Sequence, residues 1–156
     1  MKENFKKSII VGNSPHDVFK SLTSGIKDWW SNGLSGNSEK AGDEYRIWFN
    51  GTKKRMQVTE VIPDKKVVWL CLEAYIDHDF PVRNEWEGTK MIWDIEPNGS
   101  TTTLTLTHEG LTPDFYCYDV CSQGWNHFLD SLYQLLTTGV GKPHINKEPQ
   151  EAIKAR

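Results

Sequence analysis

The sequence has no long apolar run, few cysteines and no concentration of positive charge, and each shortage removes a class of protein. Charges interrupt every apolar stretch well short of the roughly eighteen continuous apolar residues a membrane span needs, so membrane insertion is not expected. Lys and Arg number 18 against 21 Asp and Glu, for a formal charge of −3. The basic residues are scattered rather than gathered into the stripe that phosphate neutralisation demands, which argues against nucleic acid as a partner. The three cysteines, Cys71, Cys117 and Cys121, are odd in number and lack small-secreted spacing. The N-terminus MKENFKKSIIVGNS lacks the apolar core of a signal peptide, so a reducing, cytoplasmic setting is expected. There is no phosphate-cradling glycine loop, no nucleophile elbow and no zinc-protease helix. No cofactor, no metal and no defined catalytic activity are therefore expected.

Aromatic residues are plentiful: seven Trp, five Tyr and six Phe in 156 residues. Tryptophan is mostly buried yet keeps a polar handle, so this richness suits either a bulky core or the walls of a pocket. A chain of this length forms one domain and buries about 68–70% of its unfolded surface without staples. The domain is expected over residues 1–142, with a polar tail over 143–156.

Phe5 to Val11 reads as a first strand ending at Gly12-Asn13. Ser14-Pro15-His16-Asp17 signals a helix start, with Ser14 as cap, Pro15 at the first helical position and Asp17 as the capping-box acid. Thr23-Ser24-Gly25 stops this helix, and a second short one, Ile26 to Trp30, delivers the pair Trp29-Trp30. Ser31 to Asp43 reads as a loop. Glu44 to Phe49 and Lys53 to Ile62 form a hairpin about Asn50-Gly51, with Met56, Val58, Glu60 and Ile62 in one phase. After the turn at Pro63-Asp64-Lys65-Lys66, Val67 to Leu72 is apolar on both faces and suits a central, doubly covered strand. Asp77 to Glu85 is a polar loop that can act as a flap.

Trp86 to Glu96 alternates with Met91, Trp93 and Ile95 on one side. The next strand separates Thr101, Thr103, Thr105 and Thr107 from Leu104, Leu106 and His108, so His108 points with the leucines. Cys121, Trp125, Phe128, Leu129, Leu132 and Leu136 then recur at helical spacing, and Gly139, Gly141 and Pro143 end the helix. The order is strand, two short helices, about five hairpin-linked strands and one long helix, which places the chain in the α+β class.

The pair Trp29-Trp30, the run Trp86-Glu87-Gly88-Thr89-Lys90, the run Thr103 to Leu111, and Gly124-Trp125 followed by Ser131-Leu132 and Gly139 stand in an order that resembles the START-like, helix-grip superfamily (SRPBCC). The branch most similar is the C-terminal domain of Aha-type Hsp ATPase activators. The resemblance implies a curved antiparallel sheet of about six strands wrapped around the C-terminal helix, with an elongated cavity between them. It does not imply a reaction, because binders, transporters, cochaperone domains and a few enzymes share this frame.

The leading functional expectation is a small hydrophobic or aromatic ligand held in a cavity on the order of 300–1,000 Å³. Its expected walls are Trp30, Trp48, Met56, Val58, Trp69, Trp93, Leu106, His108 and Trp125, with the loops at Ser31 to Asp43 and Asp77 to Glu85 at the mouth. Trp48 is out of phase with Ile47 and Phe49, and only one of those faces can be interior. Gly124 inside a helix costs about 1 kcal/mol against alanine, so close approach of a strand or room for a ring is expected there. A chaperone as protein partner and a cyclase- or hydrolase-type enzyme using His108 are the alternatives. His108 and Glu109 are adjacent strand residues facing opposite sides, and cannot easily share a proton. Cys117 and Cys121 share a helix face, yet no second ligand pair makes a zinc site of them.

Overall fold

Strand β1 (Phe5–Val11) leads into helix α1 (Pro15–Leu22) in the computed structural model, which describes residues 3–146. Local chemistry sets the start of α1: the Asp17 N–H donates to Ser14 Oγ at 3.1 Å, and Pro15 occupies the first helical position. Val18 and Leu22 lie one turn apart and are both buried, so α1 turns its apolar face to the core. The second short helix is a single 3₁₀ turn, Ile26–Asp28, after which Trp29 leaves helical geometry (φ −134°, ψ −22°). That departure lets two consecutive indoles point inward. Both are buried, and they stack with ring centroids 5.7 Å apart.

The remaining strands are β2 (Gly33–Gly36), β3 (Glu44–Phe49), β4 (Thr52–Ile62), β5 (Lys66–Tyr75), β6 (Lys90–Asn98) and β7 (Thr101–Glu109). They form one seven-stranded antiparallel sheet in the order β1-β7-β6-β5-β4-β3-β2. The strand beyond the expected six is β2, inside the stretch expected to be a loop. Its sequence, GLSG, has little strand propensity, and it is extended because Gly33–Gly36 pairs with Trp48–Tyr45 of β3. Asn50 (φ 57°) and Asp64 (φ 63°) turn the hairpins flanking β4 with left-handed backbone.

Alternation places Met91, Trp93 and Ile95 of β6 and Leu104, Leu106 and His108 of β7 on the core face, with the β7 threonines at Thr103, Thr105 and Thr107 on the other. β4 does not keep one phase. Its pairing with β5 shifts between Arg55 and Met56 and again between Val58 and Glu60, so Glu60 and Ile62 are exposed instead of following Met56 and Val58 inward. β5 is the central strand; Val67, Trp69 and Cys71 face the core, and Val68 is buried on the opposite side. Leu70 and Leu72 on its other face are half-buried.

Helix α2 (Tyr118–Thr138) buries Cys121, Trp125, Leu129, Ser131 and Leu132 and ends on Gly139 in the left-handed conformation (φ 88°). It closes an α+β helix-grip. At the centre Trp30 stacks on Trp69 (5.4 Å) and on Trp125 (5.3 Å), and Trp125 stacks in turn on Trp86 (5.8 Å). Trp93 meets Trp29, Trp69 and Trp125 edge-on, the geometry that the ring quadrupole favours.

The chain after α2 stays attached to the domain. Buried Ser131 donates to the Trp29 carbonyl (2.8 Å) and accepts from the Lys142 N–H (2.7 Å). The His144 N–H donates to the Trp30 carbonyl and its carbonyl accepts from Asn32, while the Asn146 amide donates to Asn32 and to the Trp48 carbonyl. The first residues of the tail expected over 143–156 are thus bound to the fold, and residues 147–156 lie outside those described. Among the described residues no helix is long and apolar enough to cross a membrane.

Candidate functional site

Between the first half of α2 and the β3–β4 end of the sheet lies a cavity of about 230 Å³. It is lined by Trp30, Phe49, Thr52, Lys54, Ile76, His78, Trp86, Val120, Cys121, Gly124, Trp125, Phe128 and His144. Phe49 packs against Trp30, Phe128 and His144, so the wall is mainly aromatic. Gly124 explains why the space is open on the helix side. A Cβ built there meets nothing within 4 Å, so the glycine does not draw strand and helix together and instead leaves volume in the cavity.

The polar equipment of the wall is sparse. Lys54 belongs to the inward phase of β4 with Met56 and Val58 and is only 9% exposed. Its ammonium lies 3.7 Å from the centroid of the Trp86 ring and 5.1 Å from that of Phe49, a cation–π seat. Burial lowers its pKa from the ordinary lysine value, because the charged form loses hydration. Cys121 and Cys117 hold their sulfurs 2.6 Å apart, and the Trp86 Nε1–H donates to Cys121 Sγ at 3.2 Å. Hydrogen bonding from Cys117, helped by Lys54 and Trp86, lowers the Cys121 thiol pKa, and the same bond with burial raises that of Cys117. Burial pushes the Cys71 thiol up to about 12. Among the described residues no group of three or more His, Cys, Asp or Glu could hold a metal ion.

His108 is fully buried beside the cavity rather than in its wall. Its Nδ1 accepts from the Trp125 Nε1–H at 3.0 Å, so Nε2 carries the proton and donates to Thr89 Oγ1 at 2.9 Å. Thr89 in turn donates its hydroxyl hydrogen bond to the Trp86 carbonyl (2.6 Å). Burial, helped by the Lys54 charge, drops the His108 pKa to about 3. Both nitrogens are committed, and the imidazole is a neutral link between β7, α2 and the Trp86 loop.

Of the nine side chains expected to line a cavity, Trp30 and Trp125 do. Met56, Val58, Trp69, Trp93 and Leu106 are fully buried core, packed against the aromatic cluster, so the interior they were expected to enclose is filled. That filling is why the cavity is smaller than expected and sits towards one end of α2. Trp48 faces the opposite side of the sheet, where it lines an open groove with Arg46, Lys53, Arg55, Glu73 and Tyr75. Tyr45 and Ile47 take the interior face of β3 instead, with Phe49 following at the cavity. The loop at Asp77 to Glu85 contributes His78 to the mouth, whereas Ser31 to Asp43 contributes nothing to it.

The family model described as Activator of Hsp90 ATPase homolog 1-like protein matches residues 13–137. The chain belongs to that family. The solved Aha1 dimer from Colwellia psychrerythraea is 29% identical, with a TM-score of 0.73, over 88% of this chain and 98% of that one. The protein MLL2253 from Mesorhizobium loti (19% identity, TM-score 0.66, 85% and 96% covered) shares the fold. CalU16 from Micromonospora echinospora (14% identity, TM-score 0.65, 88% and 78% covered) shares it as well. No curated protein matches.

Membership in the Hsp90-activator-like family agrees with the START-like helix-grip fold of the chain. Phe49, Trp86, Phe128, His144 and Lys54 stand in the wall without having been expected there, and Lys54 is the cation among them. Its signal was present, since it stands two before Met56 and four before Val58 in the same strand phase. A lysine near a hairpin turn reads as solvated, and only the position of Trp86 over it makes it interior.

Proposed function

We propose that this protein binds a small, flat apolar or aromatic molecule in the cavity between α2 and the β3–β4 end of the sheet. The observation that carries the proposal is Gly124: a mid-helix glycine whose missing side chain is replaced by no neighbour and opens onto an aromatic wall. A volume of about 230 Å³ is below the 300–1,000 Å³ of drug-sized sites, which favours a single ring or a fused ring pair. No group in the wall is arranged as a nucleophile with its base, so binding rather than turnover is assigned.

Trp30, Trp86 and Trp125 line the site, so ligand entry changes the intrinsic fluorescence. Titration with a panel of lipids, flavonoids and small polyketides is expected to give saturable quenching with at least one class. No response across the panel, or a response that Gly124→Leu leaves intact, overturns the assignment.

A second reading has its own support. The family's description and the 29% identity to the Colwellia Aha1 chain over 98% of its length favour a chaperone-directed interaction. Pull-down with the host's Hsp90-type chaperone, followed by an ATPase assay, separates the two: stimulation of ATP hydrolysis by wild type and Gly124→Leu alike assigns function to a surface and not to the cavity.

A further inference from the structure

The cavity contains one interior cation and no visible counter-charge. Lys54 is 91% removed from solvent, since 9% of its surface remains exposed. Among the described residues its ammonium makes no ion pair; the salt bridges there involve His16, Arg55, Lys66 and Arg83. Its contacts are the faces of Trp86 and Phe49. The titratable groups that act on it, Cys71, Cys117 and Cys121, are thiols. Burying an unpaired ammonium is unfavourable unless a partner restores what hydration supplied.

Other positive features nearby are already used. The N-terminus of α2 opens beside the cavity, but the Tyr116 and Cys117 N–H groups donate to the Glu85 carboxylate at 2.9 and 3.1 Å. Glu85 thus occupies that anion position. A second polar atom in the wall is without a partner among the described residues: His144 Nε2, buried on a ring that packs edge-on against Phe49. The cavity therefore offers a flat aromatic seat, a single lysine ammonium, the unpartnered His144 Nε2 and, at its mouth, His78.

We propose that the ligand is a flat aromatic monoanion whose carboxylate pairs with Lys54 while its ring lies among Trp30, Trp86 and Trp125. This rests on the cavity being a ligand site, and it adds the ligand's charge. One ammonium matches one negative charge. A phosphate would ask for several strong charged donors, whereas a carboxylate needs one strong donor, which Lys54 supplies, and tolerates a second weaker one.

The test is calorimetric titration of the intact protein with 2-naphthoate and with 2-naphthamide, which share ring and shape and differ in charge. Wild type is expected to bind the carboxylate about tenfold to hundredfold more tightly than the amide, the range of a charge-assisted hydrogen bond in a protected site. Lys54→Met is expected to remove that preference while leaving amide affinity within about threefold, and Lys54→Arg to restore most of it. Equal affinities in wild type overturn the anion proposal and leave the cavity site standing, a comparison that needs no variant to fold. A preference that survives in Lys54→Met also overturns it. Absence of heat with both compounds counts against the cavity site itself.

Discussion

Gly124→Ala should make this protein more stable, a result opposite to that expected if the glycine served close packing. The built Cβ at Gly124 meets no atom within 4 Å, and the backbone there has no positive φ that an L-residue would resist. The folded state therefore gives up nothing, while alanine gains about 0.8–1.0 kcal/mol of helix propensity through the lower entropy of its unfolded chain. For a chain of 156 residues, with roughly 2.1 cal/mol/K per residue of unfolding entropy, 1 kcal/mol corresponds to about 3 °C in Tm. Thermal unfolding followed by far-ultraviolet circular dichroism, with urea titration for the free energy, measures both. Gly124→Leu carries the logic further: its side chain enters the cavity of about 230 Å³, so stability should be unchanged or raised while ligand response is lost. Destabilisation of Gly124→Ala by more than about 0.5 kcal/mol would show that something does approach the helix at this turn, and the account of the cavity would fail with it.

His108 makes stability depend on acidity in a predictable sense. In the unfolded chain it titrates near its ordinary value of 6.5, whereas burial holds it near 3 in the fold. Above the unfolded value both states are neutral and the residue contributes no slope. From there down to the folded value only the unfolded state takes the proton, so stability falls as pH falls, at up to 1.36 kcal/mol per unit and on the order of 4–5 kcal/mol in all. His108→Gln, compared with wild type by urea titration between pH 7.5 and 4, should flatten that part of the profile; parallel profiles would contradict it. Tyr45→Phe should be neutral or stabilising by up to about 1 kcal/mol, because the buried Tyr45 hydroxyl has no hydrogen-bond partner among the described residues. A loss of 2 kcal/mol or more in urea titration would mean that the hydroxyl has one.

The local grammar of the chain was legible from short range. Ser14-Pro15 starts α1, Asn50-Gly51 and Asp64 turn hairpins, the threonine–leucine alternation makes β7, and Tyr118 to Thr138 is a helix ending on Gly139, all as the residues indicate. These features depend on neighbours a few residues apart and on the periods of helix and strand. β2 was not legible, because its extension comes from pairing with β3 and not from its own residues. The inward turn of Ile62 failed for a similar reason, since the register shift before Glu60 belongs to the β4–β5 pair.

By itself, then, the sequence determined the α+β class, the helix-grip family and the inward sides of β6 and β7. Only the tertiary structure decided what space is left over. A cavity is the residue of packing: whether Trp69 and Trp93 fill the middle, whether Trp48 or Phe49 turns inward, and whether a helical glycine meets a neighbour all depend on atoms far apart in the chain. The same holds for Lys54, an ordinary hairpin lysine until the Trp86 loop, thirty-two positions on, closes over its ammonium.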